Sequence, residues 1–231
     1  MKESIKVKAQ YKQFGMGRLP SPFDARDYTL GDFIPKLTMR IVTNKLWEFL
    51  EPEPLNQEST PHCVGFSMAN FMINLPTYNK KTNEDGHRFY YLCKVQDGDP
   101  EAEDGSNLRS ACKVLKNLKR INGYAFASNI AQVKYWLLNK GPLIAGTVWT
   151  EDMFKPDYNN IIHPTGTVAG GHAYLLNEWT KDGYIGIQNS WGNLWGKSGK
   201  AYIKDTDFAE LLRQGGEALA SVELPIAGCR R

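Results

Sequence analysis

Gln57-Glu58-Ser59-Thr60-Pro61-His62-Cys63-Val64-Gly65-Phe66-Ser67-Met68-Ala69-Asn70-Phe71 sets a thiol at the first turn of what reads as a buried helix. Ser59 or Thr60 can cap it, Pro61 suits its first position, and Val64, Phe66, Met68, Phe71, Met72 and Leu75 recur at largely helical spacing. The pattern predicts a helix from near His62. A cysteine there meets the positive end of the helix dipole and N–H groups without helical partners, both of which favour thiolate. The plain alternative is a buried, inert cysteine, since free Cys is among the most buried residue types.

A reactive cysteine needs a base, and the base an orienting partner. Gly170-Gly171-His172-Ala173-Tyr174-Leu175-Leu176 places a histidine at the start of a strand-like run, and Ile185-Gly186-Ile187-Gln188-Asn189-Ser190-Trp191-Gly192 places an asparagine at the end of another. His172 and Asn189 can then meet across neighbouring strands. His62 adjoins the thiol, but successive helical residues diverge by about 100°, so it reads as a rim residue. His172 is therefore preferred as base over His62, His87 and His163.

With Gln57 six positions before Cys63, then Gly-His-Ala, then Asn-Ser-Trp-Gly and a further Trp195-Gly196, the chain resembles the papain-like (cathepsin-like) cysteine peptidases over roughly Leu19 to Leu224. Asp24-Ala25-Arg26-Asp27-Tyr28 looks more like the entry stretch of bacterial and phage members than of lysosomal ones. There are departures. Thr60-Pro61-His62-Cys63-Val64 stands where plant and lysosomal members have Cys-Gly-Ser-Cys-Trp, so one disulfide cysteine is replaced by Thr60. His172 and Asn189 follow Cys63 by 109 and 126 residues, against about 130 to 150 in the families where that signature is at home.

The resemblance implies acyl transfer with Cys63 as nucleophile, His172 as proton carrier, Asn189 orienting the ring, and Gln57 with the Cys63 N–H donating to the oxyanion. Each such donor is worth about 3 to 4 kcal/mol in comparable sites. It further implies that Gly105 and Ser106 present backbone to substrate; small residues at Gly170 and Gly171 let a substrate backbone pass close to His172, Trp191 is expected to cover the His172/Asn189 bond, and Trp195 to floor the leaving-group side. Gly170-Gly171 can equally be a plain loop, and Trp149 and Phe154 read as core.

At 231 residues, with 42% hydrophobic and 23% charged residues and a formal charge of +3, the chain reads as an ordinary globular protein able to bury a real core. Scattered Lys and Arg argue against nucleic acid, and Lys113, Lys116, Lys119 and Arg120 read as a solvated helix face. No stretch approaches the roughly 18 apolar residues of a membrane span, and residues 1–18 are too polar for a signal peptide. The expected home is cytoplasmic, or virion-associated or host cytoplasm if the chain is phage-encoded. Cysteines at 63, 93, 112 and 229 and histidines at 62, 87, 163 and 172 lack metal-ligand or disulfide spacing. No cofactor is expected, calcium at the acidic Asp97–Ser106 loop lacks the EF-hand ligand order, and the expected partner is a protein or peptide substrate, with oligomeric state left open.

The expected fold is α+β, papain-like: residues 1–56 as N-terminal arm and strap, 57–140 as a helical half carrying the nucleophile, and 141–231 as an antiparallel β half carrying His and Asn, with the cleft between the halves. Helices are predicted over Gly86–Val95, Asn107–Leu118, Ile130–Leu138 and Asp207–Arg213. Strands are predicted over Pro142–Trp149, His172–Trp179, Gly183–Asn189, Lys200–Lys204 and Leu219–Leu224. Met1–Arg18 reads as a polar arm, too short for a large inhibitory prosegment. Two function classes follow: an active thiol peptidase, or the same scaffold with its catalytic set blocked, serving as a binding or structural module.

Overall fold

Helix α1, Cys63–Ile73, is buried at all eleven residues, which is why its apolar spacing is nearly continuous rather than a stripe. The computed structural model describes residues 6, 10–35 and 42–223. After the short strands β1 (Tyr28–Thr29) and β2 (Lys45–Leu46) and helix α1 come α2 (Asn83–Asp97), α3 (Leu108–Asn117), β3 (Gly123–Phe126), α4 (Ile130–Asn139), β4 (Leu143–Thr150), β5 (Val168–Trp179), β6 (Tyr184–Gln188), β7 (Lys200–Lys204), α5 (Asp205–Arg213) and β8 (Glu217–Val222). The α+β expectation holds. Cys229 and the end of the expected last strand lie outside the described residues.

The strands form an eight-stranded sheet in the order β1-β3-β8-β4-β5-β6-β7, with β2 alongside β5. Only β1 and β3 run parallel; the other pairs are antiparallel. Side chains alternate across a strand, and here both faces are covered. Ile144, Ala173, Leu175 and Leu219 pack with Val64, Phe66 and Leu108 of the helices. Leu143, Ala145, Tyr174 and Leu176 pack into a second core with Trp136, Trp149 and Trp191. His172 shares the parity of Tyr174 and so projects to the tryptophan side.

Local chemistry moved several expected boundaries. His62, not Ser59 or Thr60, is the N-cap of α1, and it makes no side-chain cap bond. Thr60 is engaged elsewhere: its Oγ1 donates to Gln57 O at 2.6 Å and its own carbonyl accepts from Gln57 Nε2 at 2.8 Å. Helix α2 starts three residues before Gly86 because Thr82 and Asp85 form a reciprocal capping box. Helix α3 is capped by Asn107, and Leu118 lies past its end, 41% exposed rather than on the inner face. Strand β5 begins at Val168, so Gly170 and Gly171 lie within a strand and not in a loop. Strand β3, unforeseen within the helical half, pairs with β8 from Gly123 to Phe126.

Asp97 closes the last turn of α2 onto the start of α3. Its carboxylate accepts from Ser106 Oγ at 2.6 Å, from Asn107 Nδ2 at 3.0 Å and from Ser110 Oγ. Hydrogen bonds to a charged group contribute more than neutral ones, so Asp97→Ala is expected to lower the unfolding free energy by about 3 kcal/mol, read by urea denaturation. Thr82→Ala, which removes a helix cap, is expected to cost about 1 kcal/mol in the same assay.

Candidate active site

Four side chains singled out in the sequence, Gln57, Cys63, His172 and Asn189, are all fully buried. His172 Nε2 lies 2.8 Å from Asn189 Oδ1. The N–H of Ser190 donates to that same oxygen at 2.7 Å, so the oxygen end of the amide faces the ring. Nε2 must then carry the proton, which leaves Nδ1 as a bare acceptor. That Nδ1 is buried and has no hydrogen-bond partner. Trp191 stacks on the imidazole at 4.3 Å and 22°, and Trp149 meets it edge-on at 4.9 Å. Trp149, read from sequence as core, is core that also walls the ring.

The backbone N–H groups of Ala173, Gly17 and Val64 favour the anionic form of the Cys63 sulfur, and Ala173 shares a core with Cys63. Ala173 follows His172, so the thiol lies against the strand that carries the imidazole, although no hydrogen bond joins sulfur to ring. Gln57 is fixed at both ends. Its N–H donates to Ser190 O at 2.8 Å and its Oε1 accepts from Ser190 Oγ at 2.7 Å. Its Nε2 is therefore presented to Thr60 O at 2.8 Å and to Gly15 O at 3.1 Å.

Gly15 belongs to the N-terminal arm, and this arm fills the cleft. Tyr11 stacks on Phe154 at 4.3 Å, and Phe14 packs on Trp191 at 4.8 Å. The Gly15 carbonyl accepts from Gln57 Nε2 and, at 3.1 Å, from Trp191 Nε1, while the Gly15 N–H donates to Glu58 O at 2.8 Å. Ser106 N–H donates to Gly17 O at 2.9 Å, Leu19 N–H to Ser106 O at 2.8 Å, and Arg18 N–H to Gly171 O at 3.1 Å. Arg18 and Ser106 pair in parallel. The approach tolerates no side chains: a Cβ at Gly15 would stand 1.9 Å from Thr60 O, one at Gly17 2.0 Å from Pro61 O, and one at Gly171 2.1 Å from Arg18 O. No periodic pattern sends this arm through the cleft, since its polar Lys12 and Gln13 are exposed while its glycines are buried.

Of the residues expected to present backbone, Ser106 and Gly171 hydrogen-bond to the arm, and a Cβ at Gly105 would stand 2.0 Å from Gly17 O. Trp191 donates to it through Nε1. Trp195 is buried against Trp191, 5.6 Å between centroids, and its Nε1 has no partner.

Electrostatics follow from this closure. Burial pushes the Cys63 thiol up to about 11, against the pull of those three backbone N–H groups. Burial likewise pushes the His172 imidazole down to about 4, against the Asn189 bond. A helix N-terminus supplies about 0.3 to 1 kcal/mol in favour of an anion, which is less than one pKa unit of 1.36 kcal/mol. Desolvation therefore opposes the dipole here, and both shifts run toward the neutral forms of thiol and imidazole. His62 is also buried rather than on the rim. Its Nδ1 meets His87 Nδ1 at 2.7 Å, its Nε2 meets Glu103 Oε2 at 2.9 Å, and its ring stacks on Tyr90 at 3.8 Å, so both ring nitrogens are engaged by groups other than the sulfur. Among the described residues no group of His, Cys, Asp and Glu is arranged to hold a metal, and no helix is long and apolar enough to cross a membrane.

Against known proteins, the model of the papain family cysteine proteases matches residues 62–211. A gut-specific cysteine proteinase of Caenorhabditis elegans is 34% identical over 82 residues, 34% of this chain and 25% of that protein, so the match spans a quarter of that relative's length. Among solved structures, xylellain, a cysteine protease from Xylella fastidiosa, superposes with TM-score 0.66 at 17% identity, covering 90% of this chain and 94% of that one. Procathepsin B S9 from Trypanosoma congolense gives 0.64 at 15% identity, covering 93% and 87%. At such identities the two structures establish the fold.

An imidazole kept neutral by burial takes up its proton first in the unfolded chain. The stabilisation is whole above about pH 6.5 and is lost as pH falls toward about 4. Between pH 7.5 and pH 4.5 the wild type is expected to lose roughly 2 to 3 kcal/mol of unfolding free energy that His172→Gln keeps, read by urea titrations at both pH values. Equal losses in the two proteins would contradict the burial effect.

Proposed function

The chain belongs to the papain family of cysteine proteases, and from that premise we propose that it is a thiol peptidase whose own N-terminal arm holds it closed. Peptide hydrolysis would proceed through a Cys63 acyl-enzyme. The observation that carries this reading is the state of His172: Nε2 fixed on Asn189, Nδ1 bare and without a partner, on the strand whose next residue, Ala173, packs in one core with Cys63. A base with its lone pair free and its ring plane fixed is what a nucleophilic cysteine requires.

With the arm displaced, water reaches the pair and the proton passes from Cys63 sulfur to His172 Nδ1. The thiolate attacks a substrate carbonyl carbon. The carbonyl π electrons move to oxygen, where Gln57 Nε2 and the Cys63 N–H donate to the oxyanion. Support for that role comes from Gly15, whose carbonyl oxygen already rests on Gln57 Nε2 and Trp191 Nε1. Collapse expels the amine, which takes the imidazolium proton and leaves a thioester. Water, deprotonated by His172, then releases the carboxylate product and regenerates the thiol. Gly105, Ser106 and Gly171 would hold the substrate backbone along the track that the arm occupies, Trp191 would shield the His172/Asn189 bond, and Trp195 would line the leaving-group side.

The same arm favours a second reading, in which the cleft is permanently filled and the scaffold serves as a binding or structural module. Displacement separates the two. A Cβ at Gly17 cannot fit beside Pro61 O, so Gly17→Val in the full chain is expected to raise hydrolysis of a fluorogenic peptide mixture by about 100-fold, the effect of roughly 3 kcal/mol of lost closure. In that background Cys63→Ala is expected to abolish turnover, and Gln57→Ala to lower kcat on the order of 10²- to 10³-fold. Phe14→Ala provides an independent displacement. If both displaced proteins remain folded and inert, the module reading stands.

A further inference from the structure

The edge that pairs with the arm is carried by no regular element. Gly105 and Ser106 end the acidic loop that leaves α2, and Gly105 has a φ of +107°, a conformation that glycine adopts without strain. Among the described residues the cysteines, Cys63, Cys93 and Cys112, are free, so no covalent link braces this loop. What holds it comes from one face of α2, where Tyr90, Lys94 and Asp97 follow one another at i, i+4 and i+7.

Lys94 is the centre of that face. It is 1% exposed, and its ammonium donates to Asp104 Oδ1 at 2.7 Å, to Asp99 Oδ2 at 2.8 Å and to Gly105 O at 3.0 Å. An ammonium has three N–H donors, and each here has an acceptor. A buried charge is costly unless it is paired, and two carboxylates at the loop surface supply the pairing. The third acceptor, the Gly105 carbonyl, belongs to the cleft edge itself. Its residue is tied on the other side as well: the Gly105 N–H donates to Tyr90 Oη at 3.2 Å, and that hydroxyl donates to Ala102 O at 3.3 Å. Asp97 accepts from the Ser106 hydroxyl.

The Gly105 carbonyl and the Ser106 N–H belong to one planar trans peptide, in which oxygen and hydrogen point in opposite directions. An oxygen held inward by Lys94 therefore turns the N–H outward, where it donates to Gly17 O at 2.9 Å. We propose that Lys94 is a positioning residue for peptide binding: it sets the plane of the Gly105–Ser106 peptide so that the Ser106 N–H faces the cleft. The arm takes that donor in the closed chain, and a substrate carbonyl takes it once the arm is displaced. Without the ammonium the plane is free to flip, because the glycine before it offers little resistance. The effect on turnover rests on the peptidase reading, whereas the effect on affinity does not.

The test uses the full chain bearing Gly17→Val, or Phe14→Ala should the first accumulate poorly. On the fluorogenic peptide which that protein cleaves fastest, Lys94→Met is expected to raise KM about 10-fold while kcat changes less than about threefold, the pattern of binding lost equally from ground state and transition state. Alkylation of Cys63 by iodoacetamide at pH 7, which needs no peptide edge, is expected to stay within about twofold. Thr82→Ala weakens the far end of α2 and is expected to leave KM within about twofold, which separates a weakened helix from a lost edge. With Cys63→Ala added, calorimetric affinity for a synthetic peptide of residues 10–20 is expected to fall about 10-fold on Lys94→Met. Should Lys94→Met fail to fold, Tyr90→Phe, which keeps the ring and removes the hydroxyl, is expected to move KM and affinity about threefold in the same direction. KM and affinity that these variants leave unmoved, or alkylation slowed along with them, overturn the positioning role and leave the peptidase reading standing. Weaker binding of the arm peptide, with no turnover in any variant, upholds the role and removes the peptidase reading.

Discussion

The burial of Cys63 and His172 beneath the N-terminal arm is the constraint on which the proposed reading depends. Burial shifts both groups toward their neutral forms, and residues Tyr11–Leu19 lie where, on the proposed reading, substrate would pass. The arm holds this place with backbone: a carbonyl at Gly15 where Gln57 and Trp191 donate, a carbonyl at Gly17 that accepts from Ser106 N–H, and parallel pairing of Arg18 with Ser106. Aromatic contacts at Tyr11 and Phe14 anchor one end, each worth about 0.5 to 1.5 kcal/mol beyond the area it buries. The Arg18–Glu217 pair anchors the other. The fit is incomplete at Arg18, whose buried Nε has no partner. Such an orphan costs about 1 to 3 kcal/mol and leaves room for a competing chain to displace the arm.

The fold supplies this arrangement by giving each half one side of the cleft. Helix α1 is enclosed by α2, α3 and the sheet, so its first residue is fixed in place however exposed its surroundings become. Strand β5 serves three purposes at consecutive positions. Gly171 offers its carbonyl to the arm, His172 turns toward the tryptophan cluster, and Ala173 turns toward α1 and packs with Cys63. The antiparallel pairing of β5 with β6, Leu175 opposite Gln188, brings Asn189 to the imidazole. Ser190 and Gln57, joined through both backbone and side chains, then tie the Asn block to the approach of α1.

Much of this was legible in the residues. The buried helix after Pro61-His62, the order of helices before Gly141 and strands after it, and the adjacency of His172 and Asn189 follow from periodicity and from short, chemically specific blocks. The cap of α1 was not, because Thr60 could serve either the helix or the Gln57 turn, and only the fold shows which hydrogen bond it makes. His62 read as a rim residue because helix geometry sets its direction but says nothing of Tyr90, His87 and Glu103 waiting there. The arm was least legible of all. Its cleft contacts come from two glycines, from the Tyr11 and Phe14 rings and from an ion pair separated by 199 residues, and none of these leaves a periodic trace.

The neutrality of the Cys63/His172 pair is tested most directly by the pH dependence of Cys63 alkylation by iodoacetamide, site-resolved by mass spectrometry, in the wild type and in the arm-displaced Gly17→Val protein. An arm that enforces neutrality predicts a wild-type rate that climbs only as pH approaches about 11, and a displaced protein that already reacts on a plateau at neutral pH, through thiolate paired with imidazolium. Coincident profiles, with wild-type Cys63 as reactive at pH 7 as in the displaced protein, would contradict it.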